Sequence, residues 1–226
     1  MKHLLENDFP QFYGVGRRCL ATELMTSDCE FDLIDASNDY VVAKGSGGVS
    51  LKNDGSELSV INYESYLNKF DGTKMSDGKR RCDFVVTDVE TDNVILLCEL
   101  TTTDSELISL SKPITKKDRH GDVEKVLFPG GKYQKAEMQL FGTLDNIMNV
   151  PNIEKYSNGK KRKVCLMAYS IMPRTDETAN TRNAFNRYKE TEATEAGENG
   201  ALVHSDLIES FGFDYYRISH NYVFCI

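Results

Sequence analysis

The chain has 226 residues, 40% of them hydrophobic and 27% charged, with a formal net charge of −8. That apolar content can bury one sizeable core, and it excludes a disordered chain. No apolar run reaches the roughly 18–20 residues of a membrane span, and the opening MKHLLENDFPQFYG lacks a signal-peptide core, so a cytoplasmic, non-membrane protein is expected.

In chain order, residues 16–26 (GRRCLATELMT) are predicted as a helix, because Leu20 and Leu24 stand four apart. Residues 31–62 read as short strands: FDLID and YVVAK precede a flexible GSGG turn, and LKNDGSELSVINY carries an Asp-Gly turn. No P-loop lysine follows GSGG, which argues against a phosphate-binding loop. Residues 64–70 (ESYLNKF) are predicted as a strand ending at Asp71-Gly72. Two strands follow over 82–89 and 93–102, joined by a hairpin turn from Glu90 to Asn93. Residues 104–131 form a long polar connection with Pro113, Pro129, Gly130 and Gly131, and a loop of that length is usually functional. A helix is predicted over 132–149, with Tyr133, Ala136, Leu140, Phe141, Leu144, Ile147 and Met148 on one face and Pro151 ending it. Val164 to Ile171 reads as a buried strand. A second helix is predicted over 179–193, an exposed loop over 190–200, a short helix between Leu202 and Phe211, and one or two strands in 214–226. There is no internal repeat and no domain linker, so a single domain over 1–226 is expected.

Six cysteines (Cys19, Cys29, Cys82, Cys98, Cys165, Cys225) form no CxxC pair, and four histidines (His3, His120, His204, His220) are scattered. Reduced thiols packed as small hydrophobes are expected rather than a zinc site. Charge is unevenly spread. Lys79-Arg80-Arg81 and Lys160-Lys161-Arg162-Lys163 are basic runs; residues 112–135 hold seven Lys/Arg against three Asp/Glu, and residues 176–198 hold six acids against three bases. The basic clusters could contact phosphates, or they could be solvated loop ends.

The stretch RCDFVVTDVETDNVILLCELTTT (81–103) places Asp83 and Glu99 inside apolar strands, where an unpartnered carboxylate is costly. With the hairpin turn near 91–92, Asp83 lies opposite positions 99 to 101. Opposed residues share a sheet face, and Glu99, Thr101 and Thr103 alternate onto that same face. Both runs are apolar on both faces, as in a covered central strand. Two carboxylates forced together either share a proton or hold a cation between them. Mg²⁺ is suited to such a site, because it takes oxygen ligands and can serve phosphoryl chemistry. The alternative is that each acid pairs with Lys79, Arg80, Arg81 or another base.

An apolar strand with a leading Asp, a turn, an apolar strand with a late Glu, an amphipathic helix and a further strand resemble the PD-(D/E)XK nuclease superfamily. That group includes restriction-endonuclease-like enzymes and Holliday-junction resolvases. The resemblance implies an α/β fold with an αβββαβ core, a central mixed sheet flanked by helices. It covers approximately 64–171, leaving an N-terminal extension (1–63) and a C-terminal extension (172–226). It implies Asp83 and Glu99 as motif acids and metal ligands, joined by the carbonyl of Leu100, with Mg²⁺ or Mn²⁺ as cofactor. Cys82 stands where the family often has proline. Thr101 stands where the family has a lysine that orients water, and threonine supplies no cation. The family can relocate this lysine to the following helix. Lys132 lies on the border of the apolar face and is the first replacement candidate; Lys135, nearly opposite, is the second. Gln134 and Gln139 lie on the borders, and Glu137 falls on the apolar side, where it needs a partner. Glu23, on the predicted first helix, is a candidate for the family's optional extra acid.

The function so implied is metal-dependent hydrolysis of nucleic acid, DNA ahead of RNA, in a restriction or phage-defence setting. The alternative is a nuclease-like fold without chemistry, acting as a nucleic-acid-binding subunit or with a protein partner or second copy. A third reading is an unrelated α/β protein with structural carboxylates, which would be favoured if Asp83 and Glu99 lay on opposite sheet faces.

Overall fold

The computed structural model describes residues 1–46, 48–103, 107–171, 200–219 and 222–226. Two short helices, α1 (Lys2–Glu6) and α2 (Asp8–Phe12), precede strands β1 (Glu23–Thr26), β2 (Glu30–Leu33), β3 (Val41–Ala43), β4 (Val49–Lys52) and β5 (Leu58–Asn62). Helix α3 (Tyr63–Asn68) leads to β6 (Phe84–Asp88) and β7 (Val94–Thr103). A 3-10 turn (Leu107–Leu110), β8 (Ile114–Lys117) and β9 (Val123–Phe128) lead to α4 (Gly131–Met148) and α5 (Pro151–Asn158). Strand β10 (Arg162–Ile171), β11 (Ala201–Leu202), α6 (Asp206–Glu209), β12 (Asp214–Ser219) and β13 (Val223–Cys225) complete the described elements.

The central sheet has seven strands in the order β1-β5-β6-β7-β10-β12-β11. β1, β5, β6 and β7 pair antiparallel, whereas β10 is parallel to both β7 and β12. Parallel neighbours need a crossover, and α4 with α5 supplies the one from β7 to β10. One sheet face packs on the helices: Val85, Ile95, Leu97, Cys165 and Met167 meet Ala136, Leu140, Leu144 and Ile147 of α4. The other packs on a second sheet, β13-β4-β2-β3, through Phe84, Leu96, Cys98, Leu166 and Phe31. Burial on both sides explains why β6 and β7 are apolar runs rather than alternating ones. The chain is thus mixed α/β with a central mixed sheet flanked by helices. No described helix is long and apolar enough to cross a membrane, and all six cysteines are free.

Several local expectations are corrected. Residues 16–26 are not a helix; 23–26 form β1, paired with β5 from Glu23↔Ile61 to Thr26↔Leu58. Leu20, one of the supposed apolar pair, is 74% exposed. Residues 64–70 are not a strand, because α3 begins where the Asn62 side chain accepts the Ser65 N–H at 2.8 Å, an N-cap bond. The strand beside β6 is β5 instead. The 104–131 connection carries a hairpin of its own, β8 with β9. Pro151 does more than end α4: it opens α5, at a position where its missing N–H costs nothing. Between Leu202 and Phe211 only 206–209 are helical, and the C-terminal strands β12 and β13 join different sheets. The predicted helix at 179–193 and most of the predicted loop at 190–200 lie outside the described residues.

Candidate functional site

The β6–β7 register pairs Phe84 with Cys98 and Val85 with Leu97. Continuing it by one residue brings Asp83 opposite Glu99, and the Asp83 N–H donates to Cys98 O at 3.1 Å. Val85 and Leu97 belong to the helix-side core, so by alternation Asp83 and Glu99 both point to the α4 side. The opposite-face arrangement that would have favoured an unrelated protein is therefore not what the chain adopts.

Neither acid is neutralised by the nearby basic triplet. Lys79 lies 4.0 Å from Asp145, Arg80 stacks 5.1 Å above the Phe128 ring, and Arg81 bonds Asn68 at 2.6 Å and Ser76 at 3.2 Å. Among the described residues no ion pair joins Asp83 or Glu99. Asp83 Oδ2 accepts the Leu100 N–H at 2.6 Å. Glu99 is 4% exposed, and its Oε2 is buried with no hydrogen-bond partner. An orphaned buried carboxylate oxygen is rare and asks for a missing donor, proton or cation.

The electrostatics follow. Burial raises the Asp83 carboxyl to about 7, against the Leu100 N–H that favours its charge, while Glu64 and Asp35 raise it further. Burial also pushes Glu99 well above the usual carboxylate range, and the Asp83 charge adds to this. Lys135 and the Gln139 amide pull Glu99 the other way, and Lys135 does the same to Asp83.

Helix α4 holds this arrangement by one strip of residues. Thr143 Oγ1 accepts the Cys82 N–H at 2.8 Å, and Gln139 Nε2 donates to Arg81 O at 3.1 Å. Gly142 permits the close approach, since a Cβ there would lie 2.8 Å from Arg80 Cβ. Lys135 stands one turn before Gln139 on the same strip, which explains why its charge reaches both acids. Of the two candidate lysines, Lys135 is the one whose charge acts on both acids. Lys132 Nζ donates to Thr102 O at 2.5 Å and ties down the end of β7. Lys135 is exposed on the polar strip of α4, and its charge still reaches both acids.

The remaining expected residues fall as follows. Thr101 follows Glu99 by two on β7 and lines a groove of about 150 Å³ with Asp35, Leu100 and Tyr169. Gln134 bonds Gly130 N–H at 2.9 Å at the start of α4. Glu137 finds its partners away from the acids: Ser205 Oγ donates to it at 2.5 Å, and Arg217 lies 3.8 Å away. Glu23 sits on β1, accepts Ser59 Oγ at 2.6 Å and pairs with Lys2 at 3.1 Å, so it takes no part. The extra acid acting on the pair is Glu64 at the start of α3, whose N–H, with that of Tyr63, donates to Asp83 O at 3.3 and 2.8 Å. The Asn62-x-x-Ser65 cap was the sequence signal that could have located it.

The oxygen donors here, the two carboxylates and the Leu100 carbonyl, suit a hard divalent cation. A strand residue's N–H and C=O face the same side, so the Leu100 carbonyl also turns toward Asp83. A separate exposed cluster, His204, Asp206 and Glu209, has its imidazole already bonded to both carboxylates, at 2.9 and 3.1 Å, and carries no such donor set. No protein family, curated protein or solved structure matches this chain.

Proposed function

We propose that the chain is a metal-dependent phosphodiesterase of the PD-(D/E)XK type, hydrolysing nucleic acid, with DNA the first substrate to test and RNA the second. The observation that carries this is the Asp83–Glu99 pair: convergent, with Glu99 buried and Asp83 half-buried, joined to no base among the described residues, and with one carboxylate oxygen unpartnered. Asp83, Glu99 and the Leu100 carbonyl would hold Mg²⁺ or Mn²⁺, which when bound stabilises phosphoryl charge and acidifies a water. Lys135, whose charge acts on both acids, would supply the positive charge that Thr101 lacks and offset negative charge near them. The neighbouring strands β5, β6 and β7 followed by a helical crossover to parallel β10 are compatible with the βββαβ part of that core, although β4 and not a helix precedes β5 and α3 separates β5 from β6; this supports the reading at the level of fold only. Incubation of plasmid DNA with the protein and Mg²⁺ or Mn²⁺, against an Asp83→Ala control, tests it. The expected result is nicking or linearisation that needs the metal and Asp83. Absence of cleavage with every divalent metal, or equal cleavage by the variant, rejects it.

One observation favours a second reading, a nuclease-like fold without chemistry. Thr101 replaces the family lysine, and Lys132 is engaged with Thr102 O. That reading expects salt-sensitive nucleic-acid binding with no metal dependence.

A further inference from the structure

The β8–β9 hairpin is the part of the described chain least able to account for itself. Val123 to Leu127 are all exposed, as are Lys116 and Lys117 across from them. Val123, Val126 and Leu127 remain 58, 46 and 44% exposed. A two-stranded ribbon with neither face covered has no core and is marginal in water. Its register adds a second cost. Lys116 stands directly opposite Lys125, and like charges opposed across a ladder destabilise it. The acids nearby do not relieve this. Asp118 is spent inside the turn, accepting the His120 and Asp122 N–H groups at 2.8 and 2.9 Å. Glu124 pairs with Lys116 at 3.0 Å, in an exposed contact worth little. Lys112, Lys117, Arg119 and Lys125 have no carboxylate partner among the described residues. On a chain of net charge −8, this concentration of unpaired positive charge is local and deliberate in effect.

The ribbon is also placed. The guanidinium of Arg80, three residues before Asp83, stacks on Phe128 at the ribbon's base. Gly131, with φ 68°, lets α4 start hard against residues 110–112, since a Cβ there would lie 2.4 Å from Leu110 O. The ribbon therefore springs from the lip of the acid site rather than from a remote edge.

We infer that the β8–β9 hairpin is a DNA-binding ribbon that lies in the major groove of a B-form duplex beside the Asp83–Glu99 site. The major groove of B-DNA is wide enough for a two-stranded ribbon, whereas that of A-form RNA is deep and narrow. A polyanion on both sides turns the Lys116–Lys125 repulsion into attraction, which an apolar or acidic-patch protein would do less completely. The inference rests on the proposed nuclease reading only for what the duplex is held against; binding itself needs neither metal nor chemistry.

The test is fluorescence anisotropy in EDTA, with a labelled DNA duplex of about two helical turns and an RNA duplex of the same sequence. The variant replaces Lys116, Lys117, Arg119 and Lys125 by Gln, all exposed, and an unchanged melting temperature verifies its fold. A Lys116→Arg, Lys125→Arg variant keeps the charge. The expected result is that the Gln variant loses about 10- to 100-fold in DNA affinity near 0.1 M salt, and its slope of log affinity against log salt falls by about three. The Arg variant binds as the unaltered chain does, and RNA duplex binds more weakly. DNA binding by the Gln variant with unaltered affinity and slope overturns the inference, as does equal binding and equal loss on RNA. The two proposals separate cleanly. If DNA is bound through the ribbon but never cut, the nuclease reading falls and the ribbon stands. If DNA is cut in an Asp83-dependent way by a ribbon variant with full affinity, the ribbon falls and the nuclease stands.

Discussion

The β6–β7 hairpin sets an aspartate at each end of β6, Asp88 buried at its last position and Asp83 half-buried just before its first, and the two ends treat them in opposite ways. At the turn end, burial disfavours the Asp88 charge, but the Val94 N–H at 2.7 Å, the Thr91 hydroxyl at 2.8 Å and Lys160 at 3.1 Å outweigh it, so its pKa is lowered. Lys160 is itself buried and also bonds Thr91 O at 2.8 Å. At the other end, Asp83 and Glu99 have one backbone donor, no ion-pair partner among the described residues, and raised pKa values. A satisfied buried charge is a fixture of the fold, while an unsatisfied one is a site kept for something else. The hairpin thus contains its own control.

The two ends of the strand are expected to differ most in activity. Asp83→Ala or Glu99→Ala is expected to lower metal-dependent cleavage by about 10³-fold or more, measured as initial rate on supercoiled plasmid. The same change at Asp88 should leave the rate constant of correctly folded protein nearly unaltered. Stability gives the converse. Lys160→Met leaves Asp88 buried without its cation and is expected to cost about 3–5 kcal/mol in urea unfolding, whereas Asp83→Asn should not destabilise at all near pH 8.

Dependence on pH sharpens the contrast further. Asp83 and Glu99 keep their protons to higher pH in the folded chain than in the unfolded one, so their stabilising effect is complete in acid; that of Asp83 is lost as pH rises to about 7, and that of Glu99 is lost well above the ordinary carboxylate range. Without divalent metal this pair should remove on the order of 2–4 kcal/mol between about pH 4 and pH 8. Melting temperatures in EDTA check this, and Asp83→Asn should flatten most of the change. Mg²⁺ or Mn²⁺ at the upper pH should restore stability to the unaltered chain but not to Asp83→Asn. Asp88 carries the opposite sign: its contribution is present above the ordinary carboxylate range and is lost as pH falls through its lowered value.

The smaller effects concern the two lysines. Lys135→Ala is expected to reduce the cleavage rate about 10- to 100-fold with little change in melting. Lys132→Ala, which loses only the bond to Thr102 O, should cost about 1 kcal/mol or less and change the rate little. An inverted ranking would return Lys132 to the site.

Much of the hairpin was legible because its evidence is local. The turn near 91–92 fixes register, register fixes which residues oppose, and alternation fixes the face, so the convergence of Asp83 and Glu99 followed from spacing. The α4 helix was legible for the same reason, its apolar face recurring every three to four residues through Leu140, Leu144 and Ile147. The failures lie where local pattern competes with distant partners. Leu20 and Leu24 suggested a helix, yet β5 offers the 23–26 segment a full antiparallel ladder. ESYLNKF alternates well enough for a strand, but Asn62 caps it as a helix.

The sequence by itself determined that two acids would meet inside an apolar hairpin, and that no lysine stood at the expected place on the strand beside them. It could not determine their partners, because ion pairing depends on which side chains the tertiary fold brings within a few ångströms. Only the folded chain sends Arg80 onto Phe128, Arg81 to Asn68 and Lys132 to Thr102, and so leaves the pair with no ion-pair partner among the described residues. Only the packing of α4 through Thr143 and Gln139 decides that Lys135 is the cation that acts on them, because helix rotation about its axis is set by the surface it packs on.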